Sequence, residues 1–215
     1  GGCKRSAEPA DAGASASDAQ HADARMPLDV RPDPEPPVFE PTPISDENEL
    51  PGSDALALAA DSAAQLSAYA SAASVAAGEP VQLFVHVAHT QEVGWELFRV
   101  GHYQGHGARL VASGPRVTVE PQPDCPTLPD TGLVECQWQS AFKVTTDAAW
   151  RSGYYAFKLT SADGHDTLVP LIVREREPRA PIVVQASVNT WQAYNTWGGT
   201  SLYKNTRKDT PFRGT

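Results

Sequence analysis

The chain has 215 residues and a formal net charge of −9, a length that suits one or two domains. The charge is concentrated in residues 1–54, which hold 12 acidic and four basic side chains, whereas the rest of the chain holds 14 and 13. A nearly neutral remainder excludes the class of protein that binds nucleic acid through a basic face. No apolar run reaches the ~18–20 residues that a membrane-spanning helix needs.

Residues 1–54 are rich in Ala, Ser, Asp, Glu and Pro, and hold nine of the 19 prolines. Such a segment buries too little apolar surface to offset its chain entropy, so it is predicted to be a disordered, extended tether. Cys3 follows two glycines near the start. This arrangement resembles the processed end of a bacterial lipoprotein, and the alternative is a stray cysteine in a disordered tail. We therefore expect a lipid on Cys3 to attach the tether to a membrane.

Residues 55–176 consist of short segments in which apolar and polar side chains alternate, as they do in strands with one buried face. An Asp-Gly pair between the last two segments is a strong hairpin signal. The predicted strands are residues 66–70, 81–88, 93–100, 108–112, 117–119, 137–145, 153–160 and 166–174. This spacing indicates a β-sandwich. Four aromatic side chains are predicted to lie in its core, namely Trp95, Trp138, Trp150 and Phe157.

Cys125 and Cys136 bracket a loop of about ten residues, and a disulfide across it would contribute roughly 2–3 kcal/mol by the loop-entropy model. The alternative is two unrelated thiols. Zinc is disfavoured because no His or further Cys stands nearby at metal-ligand spacing. A disulfide here and a lipid on Cys3 would both place the protein in an exported, oxidising location.

Residues 101–107 form a glycine-rich segment with two histidines. It lacks the Lys-Ser/Thr ending and the following helix of a phosphate-binding loop. Its glycines also oppose the helix that would bring both histidines to one face. We interpret the segment as a turn whose Tyr103 packs on the sandwich. The sequence shows no Ser-His-Asp set, nucleophile elbow or HExxH motif either.

A charged, proline-bearing linker at residues 177–181 precedes the apolar run 182–186. The run does not alternate, which is typical of a strand buried on both faces. A short helix is predicted next, with Asn189 or Thr190 as its N-cap and a Gly-Gly pair as its end. Residues 182–215 therefore look like the first strand and helix of an α/β domain, in which sites form at the carboxyl ends of strands.

Tyr194 lies on this predicted helix. From its residue type alone it could pack, donate a hydrogen bond, or bind a hard cation such as Fe(III) as a phenolate.

Four segments together carry a resemblance to a known family. They are residues 95–111, with the pattern Arg-x-Gly-x-Tyr-x-Gly-x-Gly-Ala-Arg, Ser152-Gly153-Tyr154-Tyr155, residues 169–174, and residues 190–199, which include Ala193-Tyr194-Asn195. Together they resemble proteins related to the large (beta) subunit of N,N-dimethylformamidase, over about residues 65–203. The resemblance implies an immunoglobulin-like sandwich followed by a catalytic domain with a glutamine-amidotransferase-like α/β core.

The resemblance also implies chemistry, namely hydrolysis of N-substituted formamides at one iron bound by two Tyr and one Glu. Tyr194 is similar to the first tyrosine ligand, and the other two ligands are expected beyond Thr215. The iron would act as a Lewis acid and water activator. We thus expect an N-terminal fragment of an exported member, inactive by itself, whose partner is the remainder of the catalytic domain. The alternative is a non-catalytic cell-surface module whose sandwich binds carbohydrate or protein.

Overall fold

The structure, a computed structural model, describes residues 43–57, 65–177, 181–199 and 201–204. Cys3 and most of the predicted tether lie outside these residues. Within the described ranges, no helix is both long enough and apolar enough to cross a membrane.

Two facing sheets make up the body of the fold. Their strands are β1 (Leu66–Ala70), β2 (Ser74–Ala76), β3 (Pro80–Val87), β4 (Gln91–Val100), β5 (Ala108–Val119), β6 (Ser140–Thr145), β7 (Gly153–Ser161) and β8 (Asp166–Arg174). One sheet has the order β1-β3-β6 and the other β2-β8-β7-β4-β5. Neighbouring strands are antiparallel, except that β2 runs parallel to β8. The predicted mainly-β sandwich is confirmed.

The core lies between the sheets and follows from the alternation in the sequence. In β3, Val81, Leu83, Val85 and Val87 are each 0% exposed, and they share one apolar cluster with Phe157 of β7. Each of these side chains contributes about 1.5–3 kcal/mol by leaving water.

The four aromatic residues predicted to be core differ in their surroundings. Phe157 is fully buried, whereas Trp95 and Trp150 are half-buried and pack against the cluster from its edges. Trp138 is buried outside the cluster, beside the rings of Tyr69 and His86.

Strand β5 is continuous where the sequence predicts two short strands at 108–112 and 117–119. The residues between them include Gly114 and Pro115, which usually interrupt a strand. The strand persists because β5 is an edge strand, where a proline need not donate a ladder hydrogen bond. Gly114 leaves room for the indole of Trp95 to lie directly against the backbone.

A side chain at position 114 is therefore expected to be destabilising. A Cβ there would lie 2.3 Å from Cζ2 of Trp95, so Gly114→Ala must displace the indole and should cost about 1–3 kcal/mol of unfolding free energy. Urea denaturation measures the loss. Gly94→Ala is the matched control, because its Cβ would meet nothing nearer than 3.7 Å. Equal destabilisation by the two variants would contradict the prediction.

Two short helices lie outside the sheets, α1 (Pro43–Asn48) and α2 (Val188–Tyr194). Helix α2 is the helix predicted around Tyr194, although its flanking cap residues are Ser187 and Asn195 rather than the predicted ones. The apolar run before it does not form the predicted strand. Ile182, Val183 and Val184 are 76%, 87% and 74% exposed, because no neighbouring strand among the described residues pairs with their backbone.

Candidate functional site

The aromatic segment, which we define as residues 188–199 and 201–204, is held against the sandwich by its tryptophans. The Trp197 ring meets the Trp138 ring edge-on, with 5.9 Å between the ring centroids. Its Nε1 donates a hydrogen bond to Oγ of Ser67 in β1, at 3.3 Å. Trp191 lies in helix α2, and its ring centroid is 6.1 Å from that of Tyr154 in β7. These contacts position the residues between the two tryptophans.

Tyr194, the predicted metal ligand, lies between these two tryptophans and is 63% exposed. The chain turns back after it, and the backbone N–H of Leu202 donates to the carbonyl of Ala193 at 3.0 Å. This return places the ring of Tyr203 4.6 Å from that of Tyr194. The structure thus presents two exposed phenols side by side, a pairing that the spacing in the sequence did not suggest.

Phenolate oxygen is a donor that suits Fe(III), so Tyr194 fits the implied metal in kind. The resemblance implies a carboxylate in the same site. Within the described residues there is no group of three or more His, Cys, Asp or Glu side chains that could hold a metal ion. The donor set around Tyr194 is therefore incomplete there, and these residues support no reaction step through iron.

The disulfide loop, residues 125–136, lies under the aromatic segment. Cys125 and Cys136 are joined by the predicted disulfide, with their Cα atoms 4.4 Å apart. Within the loop, Val134 packs so closely on Gly198 that a Cβ on the glycine would lie 3.2 Å from a Val134 methyl group. The cross-linked loop therefore forms part of the surface on which Trp197 and Gly198 rest.

A cavity of about 170 Å³ opens between this loop, the three-stranded sheet and Trp197. Its lining residues are Ser67, His86, Pro123, Asp124, Cys125, Trp138 and Trp197. Two of these side chains are fixed by backbone contacts. The N–H of Gln122 donates to Nδ1 of His86 at 3.0 Å, and Nε1 of Trp138 donates to the carbonyl of Pro123 at 2.9 Å.

A cluster of polar side chains lies at the glycine-rich turn after β4, away from Tyr194, which the sequence analysis selected. Tyr103 is fully buried, which confirms that it packs on the sandwich. Arg99 of β4 is 5% exposed and donates to the Tyr103 hydroxyl at 2.9 Å and to the carbonyl of Ser152 at 3.0 Å. Burial raises the pKa of Tyr103 above its usual value, so the phenol stays protonated and keeps a proton to donate.

Glu47 of α1 accepts the hydrogen bond that the Tyr103 hydroxyl donates. Its Oε1 accepts from the Tyr103 hydroxyl at 2.8 Å and from Nε and Nη2 of Arg109 at 2.9 and 2.5 Å. Burial by itself would raise the pKa of Glu47, but the hydrogen bonds from Arg109 and Tyr103 outweigh it and leave the pKa below its usual 4.5. Glu47 is therefore held as a carboxylate.

Further contacts attach residues 43–57, which we call the strap, to the sandwich. The backbone N–H of His102 donates to Oδ1 of Asn48 at 2.9 Å, and that of Ser53 donates to the carbonyl of Ala108 at 2.8 Å. Nζ of Lys158 donates to the carbonyl of Ala57 at 2.7 Å. Gly101 is needed here, because a Cβ would lie 2.8 Å from Oδ1 of Asn48.

Little in the sequence distinguishes Glu47, one of 12 acidic residues in a segment predicted to be a tether. A usable signal was present on the other side of the contact. The motif around Tyr103 carries two arginines, Arg99 and Arg109, and guanidinium groups that a fold partly buries require nearby acceptors.

A sequence profile of the family described as "N,N-dimethylformamidase beta subunit-like, C-terminal" matches residues 94–214. No curated protein matches the chain. Among solved structures, AlkC, an alkylpurine DNA glycosylase from Pseudomonas fluorescens, has 12% identity and a TM-score of 0.31, over 51% of this chain and 30% of that one. The sporulation control protein Spo0M from Bacillus subtilis has 17% identity and a TM-score of 0.32, over 53% and 50%.

Murine CEACAM1b has 12% identity and a TM-score of 0.26, over 54% of this chain and 56% of that one. Scores this low support no inference about function. The family profile is different, because it covers more than half of the chain and includes Tyr103, Arg109 and Tyr194. The chain belongs to the N,N-dimethylformamidase beta subunit-like family.

Proposed function

We propose that this chain is part of an exported, lipid-anchored hydrolase that cleaves amide C–N bonds with the aid of iron, and that Tyr194 is one ligand of that iron. The observation that carries the proposal is the position of Tyr194. Trp191 and Trp197 on either side of it pack on the sandwich, whereas its own ring is 63% exposed. A tyrosine held in place by its neighbours but left open itself is suited to bind a ligand.

Three further observations support the proposal. The family match extends from β4 through the aromatic segment. The disulfide between Cys125 and Cys136 is a bond that persists in oxidising compartments, which supports export. Tyr203, at 4.6 Å from Tyr194 between ring centroids, offers a second phenol beside the first.

When bound, iron supplies Lewis-acid polarisation of the amide carbonyl and activation of water. The contribution of this chain is to present the phenol of Tyr194. The sandwich and the disulfide loop serve as the rigid base that holds the aromatic segment, since a ligand position must be held to within a fraction of an ångström.

The proposal is tested on the full-length gene product loaded with Fe(III). We expect a visible tyrosinate-to-iron charge-transfer band, and we expect Tyr194→Phe to remove it and to reduce hydrolysis of an N-substituted formamide by about 100-fold or more. Tyr154→Phe is the control, because Tyr154 is a half-exposed tyrosine that contacts the same segment through Trp191. An unchanged band and unchanged turnover in Tyr194→Phe would refute the role of Tyr194.

A further inference from the structure

The cavity beside the disulfide loop has the features of a binding site that is separate from the proposed iron site. It is bounded on one side by Trp197, which is 39% exposed although Ser67 and Trp138 hold it in place. At about 170 Å³ it is smaller than the ~300–1,000 Å³ of sites for drug-sized ligands, so it has room for a single small ring.

His86 brings a hydrogen-bond donor to this cavity. Because Nδ1 accepts from the backbone N–H of Gln122 at 3.0 Å, the neutral imidazole carries its proton on Nε2. The ring is also stacked on Trp138, with 5.4 Å between centroids, so its orientation is restricted. Nε2 is therefore the ring nitrogen that can donate to a ligand in the cavity, which His86 lines.

Asp124 brings the complementary acceptor. It lies in the wall of the cavity next to the cross-linked Cys125, and it is exposed. Its carboxylate accepts hydrogen bonds from hydroxyl or ammonium groups and repels anions.

We propose that this cavity binds one neutral sugar ring of the pyranose type. A pyranose has an apolar C–H face that packs on an indole, here that of Trp197. Its hydroxyl groups both donate and accept, so they satisfy Asp124 and His86 at the same time. A quaternary ammonium ion would also use an indole and a carboxylate, but it has no acceptor for the proton of His86. The inference does not depend on iron or on Tyr194.

The test uses the 215-residue chain and saturation-transfer NMR with four probes: methyl glucoside, methyl galactoside, N-acetylglucosamine and tetramethylammonium. We expect saturable binding of at least one sugar with a Kd in the millimolar range, and weaker binding of tetramethylammonium. Trp197→Ala and Asp124→Asn should each weaken sugar binding by about 10-fold or more. Trp191→Phe is the control, because it keeps an aromatic ring beside Tyr154 and Trp191 does not line the cavity.

Asp124→Asn keeps the test decisive if Trp197→Ala disturbs the segment, since it exchanges one oxygen for nitrogen on an exposed side chain. The proposal is overturned if no sugar shows saturable binding, if tetramethylammonium binds more tightly than every sugar, or if Asp124→Asn and Trp191→Phe weaken binding equally. None of these results bears on the charge-transfer band, so the hydrolase proposal is judged separately.

Discussion

Replacing Glu47 by alanine is expected to lower the free energy of unfolding by about 2–4 kcal/mol, the largest effect expected of a single substitution outside the apolar core. The Glu47 side chain is 10% exposed, and its Oε1 accepts three hydrogen bonds from Tyr103 and Arg109. Without it, a half-buried guanidinium and a buried hydroxyl lose their acceptor. The strap should then detach, which amide hydrogen exchange at Asn48 and Ser53 would detect.

Glu49→Ala is the matched control for that experiment. Glu49 lies two residues after Glu47 and is exposed, and its backbone carbonyl accepts a hydrogen bond from Nε2 of Gln104, a contact that the substitution keeps. Its substitution should change stability by no more than about 0.5 kcal/mol. If Glu47→Ala is as mild as Glu49→Ala, the contact with Arg109 is a surface ion pair of little energetic value.

The same contact has a pH dependence whose sign follows from the lowered pKa of Glu47. A carboxyl group with a folded-state pKa below its unfolded value of about 4.5 contributes its full stabilisation above that value. The contribution is lost as the pH falls through the lower, folded-state pKa. The difference in stability between wild type and Glu47→Gln should therefore be constant near neutral pH and shrink below pH 4.5.

Removing the Cys125–Cys136 disulfide is expected to cost roughly 2–3 kcal/mol and to loosen the aromatic segment as well. The loop entropy accounts for the first effect. The second follows from geometry, because Val134 of the loop packs on Gly198 and Cys125 lines the cavity below Trp197. The double variant Cys125→Ser/Cys136→Ser should thus show a lower melting temperature and faster hydrogen exchange at the Trp197 indole.

Two measurements decide this prediction. The intact mass must change on reduction and alkylation, or no disulfide exists in solution. Cys3→Ser should leave the melting temperature unaltered, since that residue does not belong to the cross-linked loop. Destabilisation without any change at Trp197 would show that the loop does not support the aromatic segment.

The contacts around Glu47 also give a physical reason for the Arg-x-Gly-x-Tyr-x-Gly-x-Gly-Ala-Arg pattern, which is part of the family resemblance. Arg99 and Arg109 provide the positive charge, Tyr103 links Arg99 to Glu47, and Gly101 admits Asn48. The sequence alone predicted that these residues form a turn with one packed tyrosine. In the structure they form a site that binds a carboxylate from a segment some 50 residues earlier in the chain, a separation of 56 for Tyr103 and Glu47.

Local pattern was sufficient for the sheets. Period-two alternation identified β3 and its buried valines, and the Asp-Gly pair identified the hairpin between β7 and β8. The helix at Tyr194 and the pairing of the two cysteines were also predictable, because both depend on residues close together in the chain. Two errors of detail share one cause. The break in β5 and the strand at 182–186 were inferred from composition, whereas strand formation depends on whether a neighbouring strand is available.

The class of the fold, its strands and its family can therefore be predicted from the sequence, since apolar periodicity and motif spacing are local properties. Which distant groups meet depends on the fold. It placed Glu47 on Arg109 and Tyr103, Tyr203 beside Tyr194, and His86 and Asp124 around one cavity. Buried charges and cavities depend on contacts between residues far apart in the chain, so a local pattern can indicate that an arginine needs an acceptor but not which residue supplies it.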